Sequence, residues 1–182
     1  MSNIWLTSDT HFNDQWIFGA KEKDNTLVRP GFNTISEMNE HIIESWNSVV
    51  KPEDTVWHLG DVIFGDNKVA WMEKNWPRLN GTKNLVVGNH DKIDMICSYK
   101  WFKEVVLWKI DIDRKLMLTH APVHENVSWI YKRAGEVLVD EKTPLLNVHG
   151  HIHSAESPEG RYKCVCVEQT NYIPVNIDEL KL

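Results

Sequence analysis

The sequence predicts an α/β fold in which two mixed β-sheets pack together and helices flank them. In the first half of the chain, short apolar segments alternate with segments whose apolar residues recur at helical spacing. In the second half, short apolar segments follow one another with little helical spacing between them. Since no repeat, low-complexity tract or linker separates the halves, we expect one domain over residues 1–182.

The first half is expected to alternate strands with helices. The longest helix begins after Thr34, because Glu37 follows at capping-box spacing and apolar residues then recur at helical intervals until Pro52. Residues 13–30 are polar and rich in turn-forming residues. The predicted strands are residues 3–8, 55–59 and 85–87, and the other predicted helices are residues 69–76 and 92–98.

The second half is expected to consist mostly of strands. Residues 105–112 and 115–119 are predicted to be two strands joined at Asp113-Arg114. Residues 145–149 and 162–167 are predicted to be two more. Residues 177–182 fit either a terminal turn of helix or a last strand.

Composition excludes several classes of protein. The net charge of −6, from 20 basic and 26 acidic residues, is opposite to that of a protein that binds nucleic acid by neutralising phosphates, so we expect no long nucleic-acid partner. No apolar run approaches the ~18 residues that span a bilayer, and the first residues lack the positive charge of a signal peptide. We therefore expect no membrane partner and a cytoplasmic location.

The three cysteines, Cys97, Cys164 and Cys166, are an odd number, and two of them are one residue apart. This spacing favours reduced, buried thiols over a framework of disulfides.

Residues with metal-binding side chains follow five of the predicted strands. In α/β folds ligands bind at the carboxyl ends of strands, so we expect these five motifs to converge. One such motif alone would be a weak indication, whereas five in succession, three of them with a neighbouring glycine, indicate a site. They are Asp9-Thr10-His11, Gly60-Asp61, Gly88-Asn89-His90-Asp91, Thr119-His120 and His149-Gly150-His151-Ile152-His153.

The types of side chain indicate the kind of metal centre. Imidazole and carboxylate ligands without thiolate favour Mn, Fe, Zn, Ni or Co over an iron–sulfur cluster. Seven candidate ligands exceed the three or four of a single zinc site, so we expect two divalent or trivalent transition-metal ions, with manganese favoured. Two ions ~3.5–4 Å apart can hold the attacking and leaving oxygens of a displacement at phosphorus. Asp61 is the natural bridge, because a carboxylate can bind both ions.

The order of these motifs, from Asp9 to His153, resembles that of the calcineurin-like metallophosphoesterases, and residues 8–12, 29–30, 37–40 and 57–61 look like the small bacterial and phage members. The resemblance implies a four-layer α/β/β/α sandwich. It also implies a catalytic role for His90, which would stabilise the transition state or protonate the leaving oxygen. The implied ligands are Asp9, His11, Asp61 and His153 for one metal, and Asp61, Asn89, His120 and His151 for the other.

Departures from the family pattern narrow the expected substrate. Phosphoprotein phosphatases of this superfamily carry G-D-x-x-D-R-G, but Phe64 stands where the second Asp would be, and no Arg follows it. Their third motif ends in Glu, whereas Asp91 ends it here. The chain therefore resembles the phosphodiesterases more closely, and Asp91 or another residue would orient His90 for catalysis.

The predicted function is hydrolysis of a nucleotide or another small phosphodiester by in-line attack of a metal-bridging hydroxide, with His90 assisting the leaving group. A phosphomonoesterase or a nuclease of the same superfamily is the alternative. A non-catalytic scaffold, like the retromer subunit that shares this architecture, would need neither His90 nor the full ligand set. Arg29, whose guanidinium could grip a phosphate oxygen, and His124, just past His120, are candidate substrate contacts. A solvated loop arginine is the alternative for Arg29, and the oligomeric state is left open.

Overall fold

Two β-sheets face each other in the computed structural model of the chain, which describes residues 2–123 and 145–180. The first has the order β4-β3-β2-β1-β9, and all its strands are parallel except β9. The second has the order β5-β6-β7-β8, with only β5 antiparallel. The strands are β1 (Ile4–Thr7), β2 (Thr55–His58), β3 (Thr82–Val86), β4 (Val105–Val106), β5 (Lys109–Asp111), β6 (Leu116–Leu118), β7 (Leu146–His149), β8 (Tyr162–Cys164) and β9 (Val175–Asn176).

The helices in the described ranges pack on the outer face of the five-stranded sheet. They are α1 (Gln15–Gly19), α2 (Ile35–Val49), α3 (Lys68–Asn75) and α4 (Ile93–Tyr99), with a 3₁₀ turn at Trp76–Arg78. A second 3₁₀ turn, Ile177–Glu179, packs Ile177 between the sheets. The predicted α/β class with two mixed sheets is confirmed. Of the four expected layers, residues 2–123 and 145–180 show three: helices, five-stranded sheet and four-stranded sheet. No helix in these ranges is long and apolar enough to cross a membrane.

Burial on both faces explains why β1 and β2 read as continuous apolar segments. Side chains alternate across a strand, so Val56 packs with the helices while its neighbour Trp57 packs between the sheets. Leu6 lies opposite Trp57 in the parallel pairing and belongs to the same cluster between the sheets. Both faces of the sheet are covered, as parallel sheets require.

Helix α2 begins and ends where the sequence predicts. The Thr34 hydroxyl accepts a hydrogen bond from the Glu37 backbone N–H at 3.1 Å. Glu37 completes the cap one residue earlier than in a standard capping box, since its carboxylate accepts from the backbone N–H of Asn33 at 2.8 Å. The helix ends at Val49, just before Pro52.

The segment predicted as one strand over residues 105–112 belongs to both sheets. Val106 pairs with Val86 in the first sheet, whereas Ile110 pairs with Met117 in the second. The intervening Leu107 is 69% exposed, which marks the crossing between the sheets. A continuous apolar pattern indicates extended chain but contains no signal for a change of sheet.

The structure differs from the sequence predictions at three further places. The turn-rich region over residues 13–30 contains the short helix α1, and the strand predicted over residues 162–167 ends at Cys164. Beyond it, Cys166 forms an isolated bridge with Ser8, which links the two sheets. All three cysteines are free, but Cys97 is exposed rather than buried, because it lies on the outer face of α4.

Asp54 joins the start of β1 to the chain that follows α2. Its buried carboxylate accepts hydrogen bonds from the backbone N–H of Asn3 (2.7 Å), the indole of Trp5 (2.9 Å) and the backbone N–H of Lys51 (2.9 Å). Replacing Asp54 with alanine leaves these donors without a partner and is expected to lower the free energy of unfolding by about 2–4 kcal/mol. Urea denaturation measures this, with the exposed Asp113→Ala as control. Equal stability of the two variants would contradict the role of Asp54.

Candidate metal centre

All seven predicted ligands lie at one edge of the two sheets. The parallel strands β1, β2 and β3 end there, as do β6 and β7 of the second sheet. The ligands follow these ends directly: Asp9 and His11 after β1, Asp61 after β2, Asn89 after β3, His120 after β6, and His151 and His153 after β7. The expected convergence of carboxyl ends is therefore what the structure shows.

Most of these ligands have an uncommon backbone conformation. Five of them have positive φ, in the left-handed region: Asp9 (56°), His11 (45°), Asp61 (57°), His151 (71°) and His153 (49°). This conformation costs an L-residue about 1–2 kcal/mol, so it persists only where the surroundings enforce it. Such outliers cluster at functional sites, and here they turn side chains of five residues toward one point.

The donor atoms form two groups. Asp9, His11 and His153 have donor atoms within 4.8 Å of one another, as do Asp61, His120 and His151. Asn89 adjoins the second group, because its Oδ1 lies 2.9 Å from Nε2 of His120.

Asp61 lies between the two groups. Its Oδ2 is 3.6 Å from Nε2 of His11 in the first group and 3.4 Å from Nε2 of His120 in the second. A single carboxylate oxygen therefore contacts a histidine of each group, as expected of a bridging ligand.

Three of the histidines present the same ring nitrogen to the site. Nδ1 of His11 contacts Oδ2 of Asp14 (2.7 Å), and Nδ1 of His153 contacts Oε1 of Glu168 (2.9 Å). Nδ1 of His120 contacts the backbone carbonyl of Leu59 (2.8 Å). Carboxylates and carbonyls only accept, so Nδ1 holds the proton and Nε2 keeps a lone pair for a metal.

Two polar atoms in the first group are buried and form no hydrogen bond within the described residues. They are Oδ1 of Asp9 and Nε2 of His11, which lie 3.8 Å apart. Buried polar atoms nearly always have a partner, so this pair of acceptors fits a cation between them. The nearby Cys166 thiol instead donates to Oδ2 of Asp9 at 3.3 Å, which leaves a nitrogen and oxygen donor set of the kind that suits Mn, Fe, Zn, Ni or Co.

The charges of the site also favour a cation. Burial alone would lower the pKa of His11, but the carboxylates of Asp14, Asp61 and Asp9 outweigh it and raise that pKa to about 9. Burial likewise opposes ionisation of Asp61, yet the neighbouring imidazoles of His11 and His120 hold the pKa of its carboxyl far below the usual range. The site therefore stabilises positive charge.

At two positions beside the candidate ligands, neighbouring segments lie so close that only glycine fits. A Cβ at Gly150 would lie 1.9 Å from Oγ of Ser8 and 2.3 Å from Oδ2 of Asp9. Gly60 has φ of +100°, and a Cβ there would lie 2.5 Å from Nδ1 of His120. Any larger residue at either position would displace a candidate ligand.

His90 and Asp91 have different surroundings. The exposed ring of His90 lies edge-on to that of His11, with centroids 5.7 Å apart, and its backbone N–H donates to Oδ1 of Asp61 at 2.8 Å. The carboxylate of Asp91 accepts from three backbone N–H groups, those of Asp61, Val62 and Gly88, at 2.8–3.0 Å. Asp91 therefore positions the backbone that carries Asp61, which corrects the expectation that it orients the His90 ring for catalysis.

Arg29 also differs from its expected role. Its side chain is fully buried, so it is not available to grip a phosphate of a substrate. The guanidinium pairs with Glu168 at 2.8 Å and donates to the backbone carbonyls of Thr10 (2.8 Å) and Asp9 (2.5 Å). Since Glu168 also contacts Nδ1 of His153, Arg29 helps to hold that histidine of the first group in position. Both roles predicted for Arg29, a substrate contact and a solvated loop residue, are therefore wrong.

Other predicted and unpredicted residues complete the site. His124, the second candidate substrate contact, lies outside the described residues. Asp14 and Glu168, which hold two of the histidines, were not predicted from the sequence. A usable signal existed for each, because Asp14 follows His11 by three residues and Glu168 follows the apolar segment that ends the predicted strand over 162–167.

Asp14 offers a conservative test of how His11 is held. One oxygen of Asp14 faces Nδ1 of His11, and the other caps α1 through the N–H groups of Trp16 and Ile17. Asparagine has a single acceptor oxygen, so Asp14→Asn cannot do both. When its amide faces Nδ1, the proton of His11 moves to Nε2 and blocks metal binding. We expect Asp14→Asn to lower metal affinity about 10- to 100-fold.

Calorimetric titration of chelator-treated protein with Mn²⁺ measures this affinity. Asp24→Asn is the matched control, because Asp24 is an exposed carboxylate that caps only a turn at Thr26. Equal affinities for the two variants would show that the Asp14 carboxylate does not set the tautomer of His11.

Comparisons with known proteins identify similar chains. A family model described as the calcineurin-like phosphoesterase superfamily domain matches residues 3–170. An uncharacterized protein of Methanocaldococcus jannaschii is 31% identical over 98% of this chain and 89% of its own length. The gene 66 protein of Mycobacterium phage L5 is 34% identical over 50% of this chain and 41% of its own. A crystal structure of a protein of unknown function from Aquifex aeolicus has a TM-score of 0.69 and 28% identity, covering 98% of this chain and 97% of that one.

Proposed function

Because the chain belongs to the calcineurin-like phosphoesterase superfamily, we propose that it is a phosphoester hydrolase that uses two metal ions bridged by Asp61. The observation that carries this proposal is the position of Oδ2 of Asp61, 3.6 Å from His11 and 3.4 Å from His120. A single metal site would not need two groups of donors with one carboxylate in contact with a histidine of each.

The proposed ligands follow the two groups of donor atoms. Two bound ions would activate water and offset the charge that develops at phosphorus, and manganese is the metal that we favour. Asp14, Glu168 and the Leu59 carbonyl would keep three of the histidines in the binding tautomer. The ligands are Asp9, His11, Asp61 and His153 for one ion, and Asp61, Asn89, His120 and His151 for the other.

His90 is the group that we assign to the leaving oxygen. Asn89 and His90 are neighbours, and Asn89 is turned toward His120. The His90 ring is exposed, lies edge-on to His11 and packs edge-on against Phe64 with centroids 5.3 Å apart. It can therefore stand beside a substrate at the metal centre and donate a proton to the departing oxygen.

The substrate class that we propose is a small phosphodiester, such as a nucleotide ester. Phe64 occupies the place of the acidic residue that phosphoprotein phosphatases carry, and it packs on His90 where that acid would act. A net charge of −6 argues against a nuclease for long polyanions, whereas two ions would supply local positive charge for a small anionic substrate. A phosphomonoesterase is the alternative.

The proposal extends to the cellular compartment and to the domain organisation of the chain. The free buried thiols of Cys164 and Cys166 fit a reducing, cytoplasmic compartment. We further propose that residues 1–182 act as one domain, because both sheets contribute ligands to one site.

A substrate panel tests this function. Chelator-treated protein is expected to be inactive, and Mn²⁺ should restore hydrolysis with about two ions bound per chain by elemental analysis. Bis-p-nitrophenyl phosphate should be hydrolysed faster than p-nitrophenyl phosphate. A clear preference for the monoester would identify a phosphatase, and full activity after chelation would refute metal dependence.

A further inference from the structure

A groove of about 450 Å³ opens beside the metal centre on the side of His90. We call it the His90 groove, and its lining includes Phe64, Asp66, Lys68, His90, Asp91 and Lys92. Asn89, a proposed metal ligand, also lies on its wall, so the groove is continuous with the metal centre.

Two ammonium groups give the His90 groove positive charge. Nζ of Lys68 lies 4.7 Å from the centroid of the Phe64 ring, which holds a half-buried lysine in place from one side. Lys92 is exposed on the groove wall. The two charges repel each other, and burial together with Lys92 lowers the pKa of Lys68. An anion between them would relieve this repulsion.

The carboxylates of Asp14, Asp66 and Asp91 attract Lys68 and oppose part of this pKa shift, but none of them forms an ion pair with it. Both oxygens of Asp91 already accept hydrogen bonds from backbone N–H groups, and Asp66 is exposed at the rim. Within the described residues, no carboxylate lies within 4.0 Å of Nζ of Lys68 or Lys92. Both ammonium groups are therefore available to a ligand.

Because the groove adjoins His90, it lies where the leaving group of the substrate would be. On the proposed function, His90 faces the leaving oxygen, so the rest of the leaving group extends from that oxygen into the His90 groove. In the hydrolysis, the oxygen of water bonds to phosphorus, and the leaving oxygen takes the electron pair of the broken P–O bond and the proton of His90.

We propose that the His90 groove binds the leaving group, and that Lys68 and Lys92 select a leaving group with its own negative charge. This inference rests on the proposed function and deepens it. The substrate class becomes an ester between phosphate and an alcohol that carries a further phosphate or carboxylate. The Phe64 ring adds an apolar wall for the carbon frame of that alcohol.

Matched synthetic esters test the inference. Methyl phosphodiesters, or the corresponding monoesters if these are preferred, are prepared with 4-hydroxybenzoate or 4-hydroxybenzamide as the leaving phenol, which differ mainly in charge. The Mn²⁺-loaded protein should favour the carboxylate ester in kcat/KM. Lys68→Gln combined with Lys92→Gln should lower this preference about tenfold, since each ammonium contributes a partly exposed contact to an anion.

Two further variants control for charge. Lys74→Gln removes a lysine from the same helix, α3, but outside the groove lining, and should leave the preference unchanged. Asp66→Asn removes the negative charge at the rim and should increase the preference. A general loss of fold or activity would not lower the preference in the double lysine variant and raise it in Asp66→Asn.

The outcomes separate the two levels of the proposal. If the wild-type protein hydrolyses neither ester, the proposed function is wrong and the inference fails with it. If it hydrolyses both esters with a preference near one, or with a preference that the double lysine variant retains, the function stands and the assignment of the groove is wrong.

Discussion

Replacing Asp61 with asparagine is expected to remove nearly all activity and to weaken both metal sites together. Oδ1 of Asp61 accepts the backbone N–H of His90, and Oδ2 faces His11 and His120. Asparagine keeps one acceptor, so an amide N–H₂ would replace the oxygen shared by both sites, and one negative charge would be lost. We expect metal affinity at both sites to fall by about 100-fold or more, since even outer contacts of metal ligands are worth 10- to 100-fold.

Elemental analysis and kcat/KM, measured on the same preparation, check this result. Asp113→Asn is the control, because it removes an exposed carboxylate from the turn between β5 and β6, at the opposite end of β6 from His120. An Asp61→Asn protein that keeps near-normal turnover with one ion bound would disprove the two-metal assignment.

Replacing His90 with alanine is expected to lower kcat about 10²- to 10⁴-fold, or roughly 3–5 kcal/mol of barrier, while both metals stay bound. The ring of His90 makes no hydrogen bond to a proposed ligand; only its backbone N–H contacts Asp61. Alanine keeps that N–H, so the metal centre should be preserved. The loss of the proton donor should therefore be seen in kcat alone.

The leaving group provides a second readout for His90. A p-nitrophenolate departs without a proton, so the loss of rate in His90→Ala should be smaller for p-nitrophenyl esters than for esters of ordinary alcohols. Metal content, measured in parallel, should equal that of the wild-type protein. Release of a metal, or an unchanged kcat with a poor leaving group, would show that His90 does not assist departure.

The ligand set was predictable because it depends on local order in the chain. Each motif follows an apolar segment directly, and parallel strands place their carboxyl ends at one edge, so residues as distant as Asp9 and His153 could be expected in one site. The family resemblance then supplied the division into two sets, and in the structure Asp9, His11 and His153 lie together, as do Asp61, His120 and His151. Asp61 was expected as the bridge for its carboxylate, and it lies between the groups.

Roles that depend on burial and partners were not predictable in the same way. An arginine side chain can bind phosphate, but the guanidinium of Arg29 is enclosed by Glu168 and two backbone carbonyls. Asp91 adjoins His90 in the chain, yet its carboxylate faces the backbone of a neighbouring loop. Adjacency in sequence does not specify which way a side chain points.

Local sequence therefore determined most of the strands, the long helix and the set of candidate ligands, since apolar periodicity, capping and strand ends involve residues close in the chain. Only the tertiary structure decided which sheet each strand joins, as Val106 and Ile110 show, and which groups hold the ligand histidines. It also decided that Lys68 and Lys92 share a groove with His90. These features depend on contacts between distant segments, which form only when both sheets pack together.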